Sequence, residues 1–262
     1  ADAIHLDPKL FARVKAIHDQ RAEAGLTPEQ VVLVERTYDN FVRAGAELDA
    51  DKQAELRKLN SEESSLTTAF SNKLLAATKA GGVLVDDVTK LDGLDEATIA
   101  AAAEAARADG KEGQWLLVLQ NTTQQPVLAS LKDRGLREQV LAASMARAEQ
   151  GDANDTRATI QRLAELRARK AELLGYPSYA AYSIADQMAG TPEVALKLLT
   201  DTVPAATARA RAELAKIQAV VDAQGGGFTA GAADWDFYAE QVRKAEYDLD
   251  ADAIKPYFEL DR

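Results

Sequence analysis

The 262-residue chain carries 31 Lys and Arg against 42 Asp and Glu, and its net charge of −11 repels phosphate backbones and anionic headgroups, so neither nucleic acid nor a membrane surface is an expected partner. It contains no Cys, which removes disulfides, thiolate metal sites and a Cys nucleophile, and no run approaches the ~18 apolar residues of a membrane span. Aromatics make up only 6% of a chain that is 47% hydrophobic and rich in Ala, a balance that favours closely packed helices over a β-sandwich.

The first helix is predicted over 7–24, with Asp7 as N-cap, Pro8 at the first position, Leu10, Val14 and Ile17 on one stripe, and Gly25 as the stop. Thr27-Pro28-Glu29 repeats the cap-and-Pro signature, and Val31, Val34, Tyr38, Phe41 and Val42 continue a second helix to Gly45. The two are expected to form an antiparallel hairpin. From 49 to 80 the apolar positions Leu56, Leu59, Leu66, Phe70, Leu74 and Ala77 recur at threes and fours, and Glu63 interrupts them where a core residue belongs.

Val83-Leu84-Val85 is a short β-like run, and Asp95 caps an Ala-rich helix ending near Gly110. Residues 114–121 form the clearest strand candidate, and Pro126 is expected to open the next helix. Helical patterns follow over 136–149, 155–174 and 178–188, separated by Gly151-Asp152 and Gly175-Tyr176-Pro177. The longest runs from Thr191 to Ala223 and should kink or split at Pro204, which removes a hydrogen bond from the helix interior. Gly225-Gly226-Gly227 ends it. The resulting expectation is a mainly α chain, a multi-helix bundle of antiparallel helices with a small β element around 83–85 and 114–121. Its breakers divide it into 1–110, 111–224 and a C-terminal helical segment, 225–262.

Chemistry-bearing constellations are few. The two histidines, His5 and His18, are thirteen residues apart, and the chain lacks the H-E-x-x-H that would put two imidazoles on one helix face for zinc. Both read as surface or packing histidines. Residues 151–156 resemble an oxygen-rich calcium loop, but Arg157 stands where the sharp-turn Gly belongs and Leu163 where the bidentate Glu belongs, so Asp155 reads instead as a helix cap. Neighbouring carboxylates such as Glu62-Glu63 and Asp86-Asp87 point in different directions and make no dyad. Arg162, Arg167, Arg169 and Lys170 are interleaved with Glu165 and Glu172, the pattern of surface ion pairs.

No catalytic residue and no metal ligand is therefore nominated. The strand exit bearing Asn121, Gln124 and Gln125 is a candidate for offering amides to an extended peptide, with a buried strand and polar exit as the alternative. Trp235 and Tyr238, three apart on a predicted helix, are groove-lining candidates that also suit a core.

Several segments together carry a resemblance. They include Leu119-Gln120-Asn121-Thr122-Thr123-Gln124-Gln125-Pro126, Leu174-Gly175-Tyr176-Pro177-Ser178-Tyr179, Asp186-Gln187-Met188-Ala189, and the closing Asp234-Trp235-Asp236-Phe237-Tyr238 and Lys255-Pro256-Tyr257-Phe258-Glu259-Leu260. Residues 6–13 and 70–79 belong with them. In number, order and spacing they resemble the thimet-oligopeptidase family of zinc metallopeptidases, and within it the bacterial peptidyl-dipeptidases, across nearly the whole chain.

The resemblance implies a mostly helical fold enclosing a deep channel, and a parent enzyme that releases dipeptides from the C-terminus of oligopeptides. It implies zinc in that parent and none bound to this chain, because the H-E-x-x-H ligands and the substrate-binding Tyr and Arg lie outside the residues represented. The chain is thus expected to be an N-terminal to central fragment, inactive alone, forming one wall of the channel. Its expected partners are the missing C-terminal catalytic half and, through exposed apolar faces, itself. The alternative is a free-standing, non-catalytic helical scaffold or peptide-binding protein. The first residues lack a signal peptide's regions. A cytoplasmic location is expected, with the periplasm as the alternative.

Overall fold

A computed structural model describes residues 2–120, 122, 124–247 and 257. Its helices are Asp2–His5 (α1), Pro8–Asp19 (α2), Pro28–Arg43 (α3), Ala50–Ala80 (α4), Glu96–Ala108 (α5), Arg134–Met145 (α6), Arg157–Leu173 (α7), Tyr179–Ile184 (α8), Pro192–Ala223 (α9) and Ala232–Tyr247 (α10). Two strands, Val83–Val85 (β1) and Trp115–Leu117 (β2), and two 3-10 turns, Val88–Leu91 and Pro126–Ala129, complete the described elements. The chain forms two compact units, each discontinuous in sequence: residues 1–71 with 157–197, and residues 72–156 with 198–262. Each compact unit joins stretches far apart along the chain.

In the first unit, α2 and α3 begin on the expected caps. The Asp7 carboxylate accepts from the amides of Lys9 (2.8 Å) and Leu10 (3.1 Å). Thr27 and Gln30 form a reciprocal capping box at the start of α3. The α2 stripe differs from the expected one, for Leu10 and Ile17 are exposed. α2 instead turns Phe11 and His18 to α3, where Phe11 stacks on Tyr38 and Phe41 and His18 lies 3.9 Å from the Tyr38 ring. Flat rings offer more contact per residue than the aliphatic stripe, so they select the packing face. α2 stops at Asp19, short of 24, because Arg21 folds back to donate to the His18 carbonyl (2.8 Å).

α4 and α7 pair through charge. Glu55 meets Arg169 and Glu62 meets Arg162, so numbers rise on one helix as they fall on the other and the helices run antiparallel. Next to Glu62, Glu63 accepts from Arg167 (2.9 Å) and Lys170 (3.2 Å). The interruption of the α4 stripe is therefore a half-buried ion-pair junction. Beside it Leu56, Leu166 and Ala171 are buried.

The second unit is built on two apolar clusters. In one, Val85, Leu91, Ala102, Leu117, Leu128, Leu131, Leu136 and Val140 pack together. β1 and β2 are antiparallel, with Val83 opposite Leu117, Leu84 opposite Leu116 and Val85 opposite Trp115. β2 is shorter than the apolar run over 114–121, because its partner ends at Val83 and the Gln120 amide donates to the Gln125 side chain (2.9 Å) rather than to a strand. Pro126 opens a single 3-10 turn instead of a longer helix. Asp133 then caps α6 by accepting from Leu136 N (2.8 Å), which places the helix start before the expected Leu136.

Gly93 shows why a turn needs glycine here. Its φ is +99°, and an added Cβ would run into the Ser130 carbonyl, while the adjoining Asp92 carbonyl accepts from Lys132 N (2.9 Å). Helix α8 ends at Ile184, ahead of the expected 188, after starting on the Ser178 cap. α9 runs unsplit through Pro204. Its C-terminal turns and α10 form the other cluster, in which Ile217, Val221, Ala230 and Tyr238 are buried. The Gln218 side chain pins the intervening loop, donating to Phe228 O (2.9 Å) and accepting from Ala230 N (2.9 Å).

Candidate functional site

Of the five residues nominated from sequence, Asn121 lies outside the described residues. Gln124 is exposed. Gln125 is 3% exposed, and its amide is used within the chain: Oε1 accepts from Gln120 N (2.9 Å), and Nε2 donates to Thr122 O (2.8 Å) and Ser144 Oγ (3.0 Å). Tyr238 is buried in the α9–α10 cluster, its ring 5.0 Å from that of Phe237. Trp235 packs on the same cluster and also borders a shallow cavity of about 250 Å³ with Arg209, Val242 and Glu246.

At the base of α10 lies the most buried charge constellation of the second unit. Asp234 is fully buried and accepts from Arg137 (2.8 Å), from Arg134 Nε (3.1 Å) and from the Gly231 amide (3.0 Å). Arg137 also donates to the carbonyls of Leu131, Lys132 and Ala233, which spends all its polar edges inside the protein. Its guanidinium sits 4.4 Å from the Phe237 ring centre, and that of Arg134 sits 4.3 Å from Phe228. Burial pushes the Asp234 carboxyl up, but the Arg134 bond, the Gly231 amide and Arg137 outweigh it and hold the group below the ordinary carboxylate range. A carboxylate so fully bonded is a structural anchor rather than a proton donor or base.

A cavity of about 1050 Å³ belongs to the first unit, and most of its lining residues are polar or charged. Asn40, Arg43, Arg57, Glu63, Lys170 and Tyr182 are among its lining residues. Its cations are held in place: Arg43 donates to Tyr182 O (2.9 Å) and lies 3.3 Å from Asp186, and Arg57 donates to Leu6 O (3.0 Å). Burial pushes the Glu63 carboxyl up, and Arg167 and Lys170 more than reverse this, so the group is held low. Sequence reasoning did not nominate this groove. The signal for it was Glu63 inside an apolar stripe, but its partners lie about a hundred residues away in sequence.

Hydrogen-bonding and charged side chains, Asn60, Ser61, Ser64, Thr67 and Thr68 of α4 among them, line the groove. Among the described residues no group of three or more His, Asp or Glu side chains is arranged to hold a metal ion. His5 lies 5.0 Å from Phe41 and His18 stacks on Tyr38, so both belong to one aromatic cluster. Among the described residues the donor set does not fit a zinc site. Among the described residues no helix is long and apolar enough to cross a membrane.

Residues 127–262, more than half of the chain, match peptidase family M3, and the chain belongs to that family. It is 54% identical to the dipeptidyl carboxypeptidase of Escherichia coli (strain K12) over 99% of its own length and 38% of that protein's. It is 51% identical to the dipeptidyl carboxypeptidase of Salmonella typhimurium over 98% of its length and 38% of the relative's. The oligopeptidase A of E. coli is 30% identical over 95% of the chain and 37% of the relative. The chain thus spans a little over a third of the length of the curated relatives it matches.

Proposed function

We propose that this chain is the N-terminal to central part of a zinc-dependent peptidyl-dipeptidase, which releases dipeptides from the free C-terminus of oligopeptides, and that alone it is inactive. The observation carrying this reading is the 54% identity to a dipeptidyl carboxypeptidase along almost the entire chain. The inactivity rests on donor chemistry. The two histidines of the chain serve aromatic packing, and no H-E-x-x-H is present to hold zinc or supply a general base. No step through zinc is therefore assigned to these residues. Their part is to build and orient a wall, with the Asp234 cluster fixing α10 and the Glu63 junction fixing α4 against α7.

The test compares the isolated chain with a chimera in which it replaces the matching stretch of the E. coli enzyme. Both are given zinc and a blocked tetrapeptide with a free C-terminus. Dipeptide release by the chimera and none by the chain is the expected result. Release by the chain alone, or none by a folded chimera, overturns the reading.

The polar groove of the first unit favours a second reading, a helical protein that binds peptides without cutting them. It requires saturable binding of an unmodified oligopeptide by the isolated chain, lost on Arg43→Ala.

A further inference from the structure

α9 carries an apolar seam whose two ends have different fates. Leu199, Val203, Leu214, Ile217 and Val221 fall on one helix face, with alanines at the intervening positions 206 and 210, all spaced by threes and fours. At the C-terminal end α10 covers this face, and Ile217 and Val221 are buried. Towards the N-terminus the same face is bare: Leu199 is 62% exposed and Val203 57%. The seam thus runs continuously from an occupied interface onto open surface. Its flanks in the bare part are Thr202 and Thr207, short neutral side chains that would let another element approach closely.

We propose that an apolar helix face from the part of the M3 polypeptide beyond this chain docks on the bare seam, extending the contact that α10 makes with its other end. The inference rests on the reading of the chain as part of a longer peptidase. Two quantities favour an occupant in cis. The relatives have roughly three-fifths of their length outside the matched stretch, which is ample polypeptide to supply it. A few aliphatic side chains along about 20 Å of helix offer much less than the ~800 Å² per partner of a stable interface. A second copy held by this patch alone would dissociate, whereas a linked segment meets it at high effective concentration.

Leu199→Asp combined with Val203→Asp distinguishes these occupants, introduced both into the isolated chain and into the E. coli chimera described above. The expected result is a melting temperature unchanged in the isolated chain, which sediments as a monomer with or without the substitutions, and lowered by roughly 5 °C or more in the chimera. Should the charged chimera fail to fold, Val203→Thr provides a milder version with a smaller shift in the same direction. A chimera that melts unchanged with either variant overturns the proposal. A dimer of the isolated chain that the substitutions dissolve also overturns it, assigning the seam to a second copy. A chimera that shows the selective melting shift but releases no dipeptides supports docking while sinking the functional reading, so the two fail separately.

Discussion

Arg137 and Asp234 meet at 2.8 Å with 1% and 0% of their side chains exposed, and they tie the start of α6 to the start of α10 across almost a hundred residues of sequence. Such a pair is weak evidence for net stabilisation, since a well-packed apolar pair of similar volume often does as well. Removing one partner is another matter, because the other charge is left buried. Asp234→Ala is expected to destabilise the protein by about 3–5 kcal/mol in urea unfolding. Arg137→Met with Asp234→Leu should lose much less than the two single changes together, and additive losses would show that the residues do not act as a pair.

Asp234 also predicts a pH dependence. Its folded pKa is depressed, so its contribution is present above the unfolded value of about 3.9 and is lost as pH falls through the lower folded value. The stability difference between the protein and Asp234→Asn should therefore be constant from pH 5 to 7 and shrink below pH 4. A difference that grows on acidification would contradict the assignment.

Glu62 and Glu63 are neighbours with different environments. Glu62 and its partner Arg162 are both exposed, whereas Glu63 is largely covered and joins two cations. Glu62→Gln should leave stability nearly unchanged, and Glu63→Gln should destabilise by about 1–3 kcal/mol. Equal effects, or an effect of Glu63→Gln abolished by 0.5 M salt, would place both on the open surface.

Gly93 and Gly110 both have positive φ, +99° and +73°, but only at Gly93 would a Cβ meet another part of the chain. Gly110→Ala should cost about 1–2 kcal/mol from backbone conformation alone. Gly93→Ala should cost more, because the Asp92–Lys132 turn contact must open as well. Thermal unfolding of the two variants side by side decides it.

Gln125 uses both ends of its amide to close the turn after β2. Gln125→Ala leaves the Gln120 amide and the Ser144 hydroxyl without this partner and should destabilise by about 1–3 kcal/mol. An unchanged unfolding midpoint would free Gln125 for a role toward peptide.

Local signals were the legible part of the fold. Asp7-Pro8, Thr27-Pro28 and Asp95 start helices where their side chains predict, because a cap needs only amides two or three residues away. Choices that depend on distant partners were not legible. The run after Gly113 reads as a long strand, but its length was set by β1 some thirty residues earlier, and nothing in that run says how far its partner extends. α2 offered an aliphatic stripe and an aromatic one, and only the ring-bearing face of α3 chose between them. Glu63 was visible as an anomaly, while Arg167 and Lys170 as its answer were not. The same holds for Asp234, whose partners lie on α6 and whose burial leaves no mark in its own segment.

The Glu63 junction has a consequence for synthesis. Lys170 follows Glu63 by 107 positions, so α4 leaves the ribosome with its acidic face unanswered. At ~5–20 residues per second the matching cations emerge roughly 5 to 20 s later. Over that interval the Glu63 junction cannot form, and the nascent first unit cannot close until α7 has been made.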